Sequence, residues 1–283
     1  MKIFEAIIPE NWPEGKLESY LSQAFPLLPL RIIRDALQKR DVKINGIRAN
    51  RDARTLPGAR VQLYTAFSPE LPIVYEDDHI LLINKPAGIS CEDDGRGGMT
   101  LLSLLTDRAK GEYIPRLCHR LDHPTSGLLI LAKDDESEET LLAAFQERKL
   151  TKVYQCLVRG EMRPKEAVKE AFLIKDARLS KVRVITHETP GAQPIATQYE
   201  TLSFDGTISR LRVTLLTGRT HQIRAHMSFL SHPLLGDDKY GDRALNKRLK
   251  ITGLKLCACE LTLNAGGCLA YLDGRTFSIL PPF

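Results

Sequence analysis

The sequence predicts an α+β protein in which a mixed, mostly antiparallel sheet flanked by helices follows a small N-terminal α/β unit. Three observations carry this expectation. From residue 151 onward, short runs of alternating apolar and polar residues are separated by polar or Pro/Gly turns, the pattern of half-buried strands paired with antiparallel neighbours. Leu128 to Ala132 is uniformly apolar and too short for a surface helix, so it reads as a strand buried in the middle of a sheet. Before residue 66, by contrast, apolar residues recur at helical spacing and run into an Asn-Gly hairpin signal.

A chain of 283 residues exceeds the roughly 100 to 200 of one typical domain, so two are expected. The boundary falls at 66–71, where Phe67-Ser68-Pro69 and Pro72 interrupt regular structure; this gives a domain over 1–67 and a second over 68–283. In the first, Leu17, Tyr20, Leu21 and Phe25 form one helical face, and Ile32, Ile33, Ala36 and Leu37 a second inside a shell of Arg31, Arg34, Lys39 and Arg40. Val42 and Ile44 lead to Asn45-Gly46, and Ala59 to Tyr64 is a further strand. In the second domain, Ile73 to Gly88 reads strand-turn-strand about Asp77-Asp78, and Thr100 to Lys110 is an amphipathic helix. Between them Cys91 to Met99 reads as a mobile surface loop. Asp135 is placed to cap a helix running to Arg148. Strands then follow at Lys152 to Gly160, 168–216 in several pieces, Leu254 to Leu263 and Tyr271 to Ile279, the last two closing the sheet.

No apolar run approaches the ~18 residues of a membrane span, and the N-terminus has a charged residue in its apolar patch and no small-residue cleavage site, so a cytoplasmic, membrane-free monomer is expected. Forty basic against thirty-five acidic residues, a net charge of +5, permit a polyanionic partner without requiring one. The six cysteines lack C-x-x-C pairs; Cys257 and Cys259 should share one strand face as small hydrophobes.

The chemistry concentrates in His119 to Lys133, H-R-L-D-H-P-T-S-G-L-L-I-L-A-K, a polar loop feeding the buried strand, with Gly127 giving the chain freedom for the sharp bend between them. Asp122 there could be a nucleophile, a base, a metal ligand or a plain loop cap. A second polar cluster is T-G-R-T-H-Q-I-R-A-H-M, Thr217 to Met227. Four histidines, His119, His123, His221 and His226, raise a metallohydrolase reading, but no H-E-x-x-H or carboxylate pair accompanies them. Ser126 lacks the G-x-S-x-G elbow of a serine hydrolase.

The stretch H-R-L-D-x-x-T-S-G-L-L-x-L-A-K resembles the signature of the RluA-like family of RNA pseudouridine synthases. So do E-D-x-x-I-L-x-I-N-K-P-A-G, K-x-Y-x-x-L-V-x-G and G-R-T-H-Q-I-R followed by L-L-G-D-D-K-Y-G. The resemblance implies an isomerase that converts a specific uridine of structured RNA to pseudouridine, with no metal and no cofactor. It makes Asp122 the catalytic aspartate, Arg219 the arginine paired with it, Tyr154 an active-site aromatic and Arg120 the side chain that helps displace the target base. His119 and Ile223, inside the same motifs, are expected at the substrate, and Lys85 is expected to be structural. The N-terminal pattern of two helices and a K-I-N-G hairpin resembles a small RNA-binding domain named after a ribosomal small-subunit protein, which implies RNA contacts by Arg31, Arg34 and Lys39. Ribosomal RNA is the expected substrate, transfer RNA the alternative. A non-catalytic RNA-binding protein would be the reading had Asp122, Tyr154 or Arg219 been replaced, and all three are present.

Overall fold

The computed structural model describes residues 1–93, 98–176 and 181–283. Its contacts divide the chain into two compact units, 1–72 with 88–115, and 73–87 with 116–283.

The first unit is built from β1 (Lys2–Ile7), α1 (Leu17–Ala24), α2 (Leu30–Gln38), β2 (Val42–Ile44), β3 (Ile47–Ala49) and β4 (Arg60–Thr65), an antiparallel sheet in the order β1-β4-β2-β3 with two helices. The helical spacing read from sequence is the buried face: Leu17, Tyr20 and Leu21 of α1 and Ile33, Ala36 and Leu37 of α2 are all inaccessible or nearly so. The β2–β3 turn carries Asn45 and Gly46, both at positive φ as a two-residue hairpin of primed type requires. The lead segment, to which the sequence reading assigns no element, is the edge strand β1, paired along β4 from Lys2↔Thr65 to Ile7↔Arg60.

The second unit begins with β5 (Ile73–Glu76) and β6 (Ile80–Lys85). The chain then passes through α3 (Leu101–Ala109), which clusters with the first unit although its sequence position suggested the second. Thr100 caps α3 through a reciprocal box with Ser103, and Met99 N–H donates to the Ala24 carbonyl at 2.7 Å, tying this segment to the end of α1. Cys91 and Met99 are buried, which a surface loop would not do; residues 94–97 of the expected mobile loop lie outside the described residues.

The remaining elements are β7 (Arg116–Leu117), β8 (Ser126–Ala132), α4 (Asp135–Gln146), β9 (Thr151–Arg159), β10 (Glu166–Asp176), β11 (Lys181–Ile185), β12 (Gln193–Phe204) and β13 (Ile208–Leu215). After them come α5 (Gln222–Phe229), α6 (Arg243–Arg248), β14 (Leu256–Thr262), a 3₁₀ turn (Gly267–Leu272) and β15 (Thr276–Ser278). The strands form one sheet in the order β11-β10-β12-β13-β9-β14-β8-β6-β5, with β7 paired to β8 and β15 to β14. All these pairings are antiparallel except β14 with β8.

All seven residues of β8 are buried, which explains its unbroken apolar run: α4 and the 3₁₀ turn cover one face, where Leu128 and Ile130 meet Leu141, Leu269 and Leu272. Full burial of each such leucine is worth about 1.5–3 kcal/mol. The cap of α4 is Asp134, one residue before the aspartate expected, accepting from Ser137 N–H at 2.8 Å. Two expectations about the end of the chain are corrected. β14 lies in the middle of the sheet instead of closing an edge, and Tyr271 belongs to the 3₁₀ turn, leaving only Thr276–Ser278 as strand. Cys257 and Cys259 pack together with Val153, and all six cysteines are free thiols. Among the described residues no helix is long and apolar enough to cross a membrane.

Candidate active site

Three elements deliver the polar residues to one place. The turn before β8 carries Asp122, β9 carries Tyr154, and the 217–224 segment enters α5; together with Arg120, Leu215, Arg219, His221, Ile223 and Leu256 they line a small pocket of about 70 Å³.

Two local devices fix the Asp122 turn. Thr125 N–H donates to the Asp122 carbonyl at 3.0 Å, closing the turn. Beneath it Lys85, fully buried, donates from Nζ to the carbonyls of Thr125 (2.8 Å), Pro86 (3.0 Å) and His123 (3.4 Å). A buried ammonium needs such acceptors. The structural role expected of Lys85 is therefore to pin the loop that carries the carboxylate. Gly127 then sits at φ +120°, and a Cβ there would drive into the Ala258 backbone of β14. Only glycine lets the two strands approach.

Asp122 is one-fifth exposed and pairs with Arg224, not with Arg219: Arg224 Nη1 donates to Asp122 Oδ2 at 3.1 Å. Arg219 lines the same pocket, but its ordered contact is by backbone, its N–H donating to Gln222 Oε1 at 3.0 Å. Arg224 is only 2% exposed and is held by a bidentate pair with Asp237, at 2.7 Å from Nε and 2.8 Å from Nη2, with Asp238 at 3.2 Å. Burial alone would raise the Asp237 carboxyl. The Arg224 charge and hydrogen bonds, with N–H donors from Tyr240 and Lys239, outweigh it and keep that carboxyl below its ordinary range. The motif L-L-G-D-D-K-Y-G thus holds the arginine that holds Asp122. Tyr240 completes the enclosure with its ring 5.4 Å from the Arg224 guanidinium.

His221, in left-handed conformation at the start of α5, brings Nε2 to 3.9 Å from Asp122 while Nδ1 meets Tyr240 Oη at 2.9 Å. Tyr240 Oη also accepts Val182 N–H at 2.9 Å, so one hydroxyl bridges the β11 backbone and the His221 ring. Burial lowers the His221 pKa, with the Asp122 charge opposing, which favours the neutral imidazole. Tyr154 is 7% exposed; desolvation first, then the Asp122 charge, pushes its phenol far above the ordinary value, so the ring is a neutral aromatic surface.

The other expected substrate residues divide. Ile223 is a buried wall of the pocket and Arg120 an exposed residue on its rim. His119 faces away into a neighbouring cavity: its Nε2 accepts the Ile130 N–H at 3.1 Å, its ring lies 4.5 Å from that of Phe145, and burial holds its pKa at about 3. It is a brace for β8. Burial likewise holds His226 at about 4, its Nδ1 3.0 Å from Thr197 Oγ1. In the first unit, Arg34 pairs with Glu18 at 3.0 Å and Lys39 with Asp35 at 2.9 Å, whereas Arg31 is exposed with no carboxylate partner among the described residues.

Sequence reasoning gave no site role to Arg224, Asp237 or Tyr240 and weighed His221 only as a metal ligand; no local signal singles out Arg224, which stands in Q-I-R-A-H-M between the polar Gln222 and His226.

Similarity to known proteins coincides with this geometry. The family model for RNA pseudouridylate synthases matches residues 79–229, which include Asp122, Tyr154 and Arg224. The chain is 35% identical over 243 residues to ribosomal large subunit pseudouridine synthase D of Haemophilus ducreyi, covering 81% of this chain and 73% of that one. It is 30% identical over 257 residues to ribosomal large subunit pseudouridine synthase C of Vibrio vulnificus, covering 83% and 79%. Among solved structures, human RNA pseudouridylate synthase domain containing 1 superposes with a TM-score of 0.62 at 26% identity, over 78% of this chain and 86% of that one. With a family model spanning more than half of the chain and relatives at 30–35% identity over most of it, this chain belongs to the RluA-like RNA pseudouridine synthases and is an isomerase of RNA uridine.

Proposed function

We propose that the chain isomerises a uridine of large-subunit ribosomal RNA, with Asp122 as the catalytic carboxylate, Arg224 as its charged partner, Tyr154 as the face receiving the flipped uracil and Arg120 as the side chain that replaces the base. The observation that carries this reading is the convergence of Asp122, Tyr154 and Arg224 on one pocket from three distant segments.

Conversion to pseudouridine breaks the bond from sugar to base nitrogen, turns the base and rejoins it through a ring carbon. Whether the carboxylate attacks the sugar, attacks the base or removes a sugar proton, it must be ionised, and Arg224 sets a permanent positive charge 3.1 Å from it. The base must first leave its helix at a cost of a few kcal/mol. Stacking on Tyr154, worth ~1–3 kcal/mol per base, offsets part of that cost, and the planar Arg120 guanidinium can occupy the vacated stack while contacting phosphate. The relatives' names support ribosomal over transfer RNA. Arg31, with Arg34 and Lys39, supplies phosphate contacts from the N-terminal unit. On this reading the chain acts as a monomer in the cytoplasm, where ribosomal RNA is met.

Asp122→Asn keeps the side-chain volume and removes the charge, so the variant should fold, bind RNA and form no pseudouridine. Pseudouridine maps of total RNA from cells with the wild-type gene, without it, or with the variant test both parts together. A large-subunit ribosomal site should vanish in the last two. Loss confined to transfer RNA would overturn the substrate, and near-normal modification by Asp122→Asn would overturn the catalytic assignment.

A further inference from the structure

A second cavity, of about 600 Å³, shares a wall with the catalytic pocket made by Lys152, Leu215, Gly218 and Arg219. Its size is in the ~300–1,000 Å³ range of small-ligand sites. No acidic residue lines it, while three cations do, Arg148, Lys152 and Arg219, none with a carboxylate partner among the described residues. Lys152 is the most telling of the three. It is half-buried, its Nζ lies 5.2 Å over the Phe145 ring, and desolvation lowers its pKa, as for a cation whose counter-charge is absent. His119 beside it is kept neutral by burial and adds no repulsion.

Two adjoining nucleotides of one strand share a phosphodiester, just as these two cavities share a wall bearing two cations. We infer that the second cavity receives the nucleotide adjoining the target uridine, unstacked from the RNA, with the phosphodiester between the two nucleotides held at the shared wall by Lys152 and Arg219. This rests on the reading of the Asp122 pocket as the place where the uridine is turned. Lys152 is on this view a positioning residue. It commits the strand to leave its helix over two nucleotides, which makes the ease of unstacking the neighbour part of target choice.

The test is a binding cycle in the Asp122→Asn background, which removes turnover from the measurement. The probe is an RNA stem-loop carrying the uridine that the pseudouridine maps assign to this enzyme, unmodified or with a neutral methylphosphonate at one of the two linkages flanking it. At one linkage the methylphosphonate should weaken binding about tenfold, the effect of one charge-assisted hydrogen bond. The same substitution should weaken binding to Lys152→Met less than about twofold. Arg219→Gln provides an independent second cycle should Lys152→Met fail to fold. A 2-aminopurine in the nucleotide beyond that linkage should brighten on binding. Losses that multiply at both linkages in every folded variant, or an unchanged 2-aminopurine signal, would overturn the subsite. Residual turnover by Asp122→Asn would instead overturn the catalytic assignment and leave this cycle readable.

Discussion

A single guanidinium at Arg224 ties three acidic residues together, and only one of them, Asp122, lines the pocket. The three remaining bonds, two to Asp237 and one to Asp238, set its orientation, so charge alone should not replace it. Arg224→Lys keeps the charge but cannot bridge Asp237 and Asp122 in one plane; we expect it to fold and to lose at least ~100-fold in kcat. Arg224→Ala leaves the buried Asp237 carboxylate unpaired and should cost about 3–5 kcal/mol in urea unfolding. Arg219→Ala should leave stability unchanged and act on RNA affinity, so single-turnover rates at saturating RNA separate the two arginines. Equal loss of single-turnover rate in Arg219→Ala and Arg224→Lys would count against Arg224 as the partner that matters. The sequence could not make this distinction. Both arginines sit in T-G-R-T-H-Q-I-R, and what selects the second is burial against an aspartate 13 positions downstream, a tertiary fact with no local trace. That Asp122 and Tyr154 reach one pocket was legible because their motifs are long; that His119 braces β8 was not, because a brace and a substrate contact look alike within H-R-L-D.

At the level of elements, period and punctuation sufficed wherever an element is amphipathic or fully buried. The faces of α1 and α2, the Asn45-Gly46 hairpin, the helix beginning near Thr100 and β8 were all readable. What escaped were features set by a partner far along the chain. β1 is a strand because β4 hydrogen-bonds to it, and β14 is central because Gly127 admits it. Gly127→Ala tests the second point. It forces a side chain into a positive-φ position and into the Ala258 backbone, so unfolding in urea should reveal a loss of about 3 kcal/mol or more. A loss under ~1 kcal/mol would show that the β8–β14 seam tolerates a wider spacing than the structure has.

For the whole molecule, the grouping of 88–115 with 1–72 changes how the N-terminal contribution should be probed. Cutting at residue 67 would strip α3 of its own unit, so charge removal is the cleaner experiment. Arg34 and Lys39 are engaged in solvent-screened surface pairs, which can be exchanged for phosphate but blunt the gain. Arg31 and Arg40 have no carboxylate partner among the described residues, and replacing both by alanine should reduce the slope of log affinity against log salt by about 1.5–2 while sparing turnover at saturating RNA. An unchanged slope would remove this unit from the RNA footprint. The position of β14 has a different kind of consequence. It is the strand through which the half of the sheet carrying Tyr154 and the half led in by Asp122 are joined, yet it follows both of them in the chain. Until Thr262 has left the ribosome, β9 and β8 each present an unsatisfied edge, the exposed state most open to mispairing or to a chaperone. β14 therefore acts as a completion check: a chain cut before it has both Asp122 and Tyr154 and no joined sheet to bring them together.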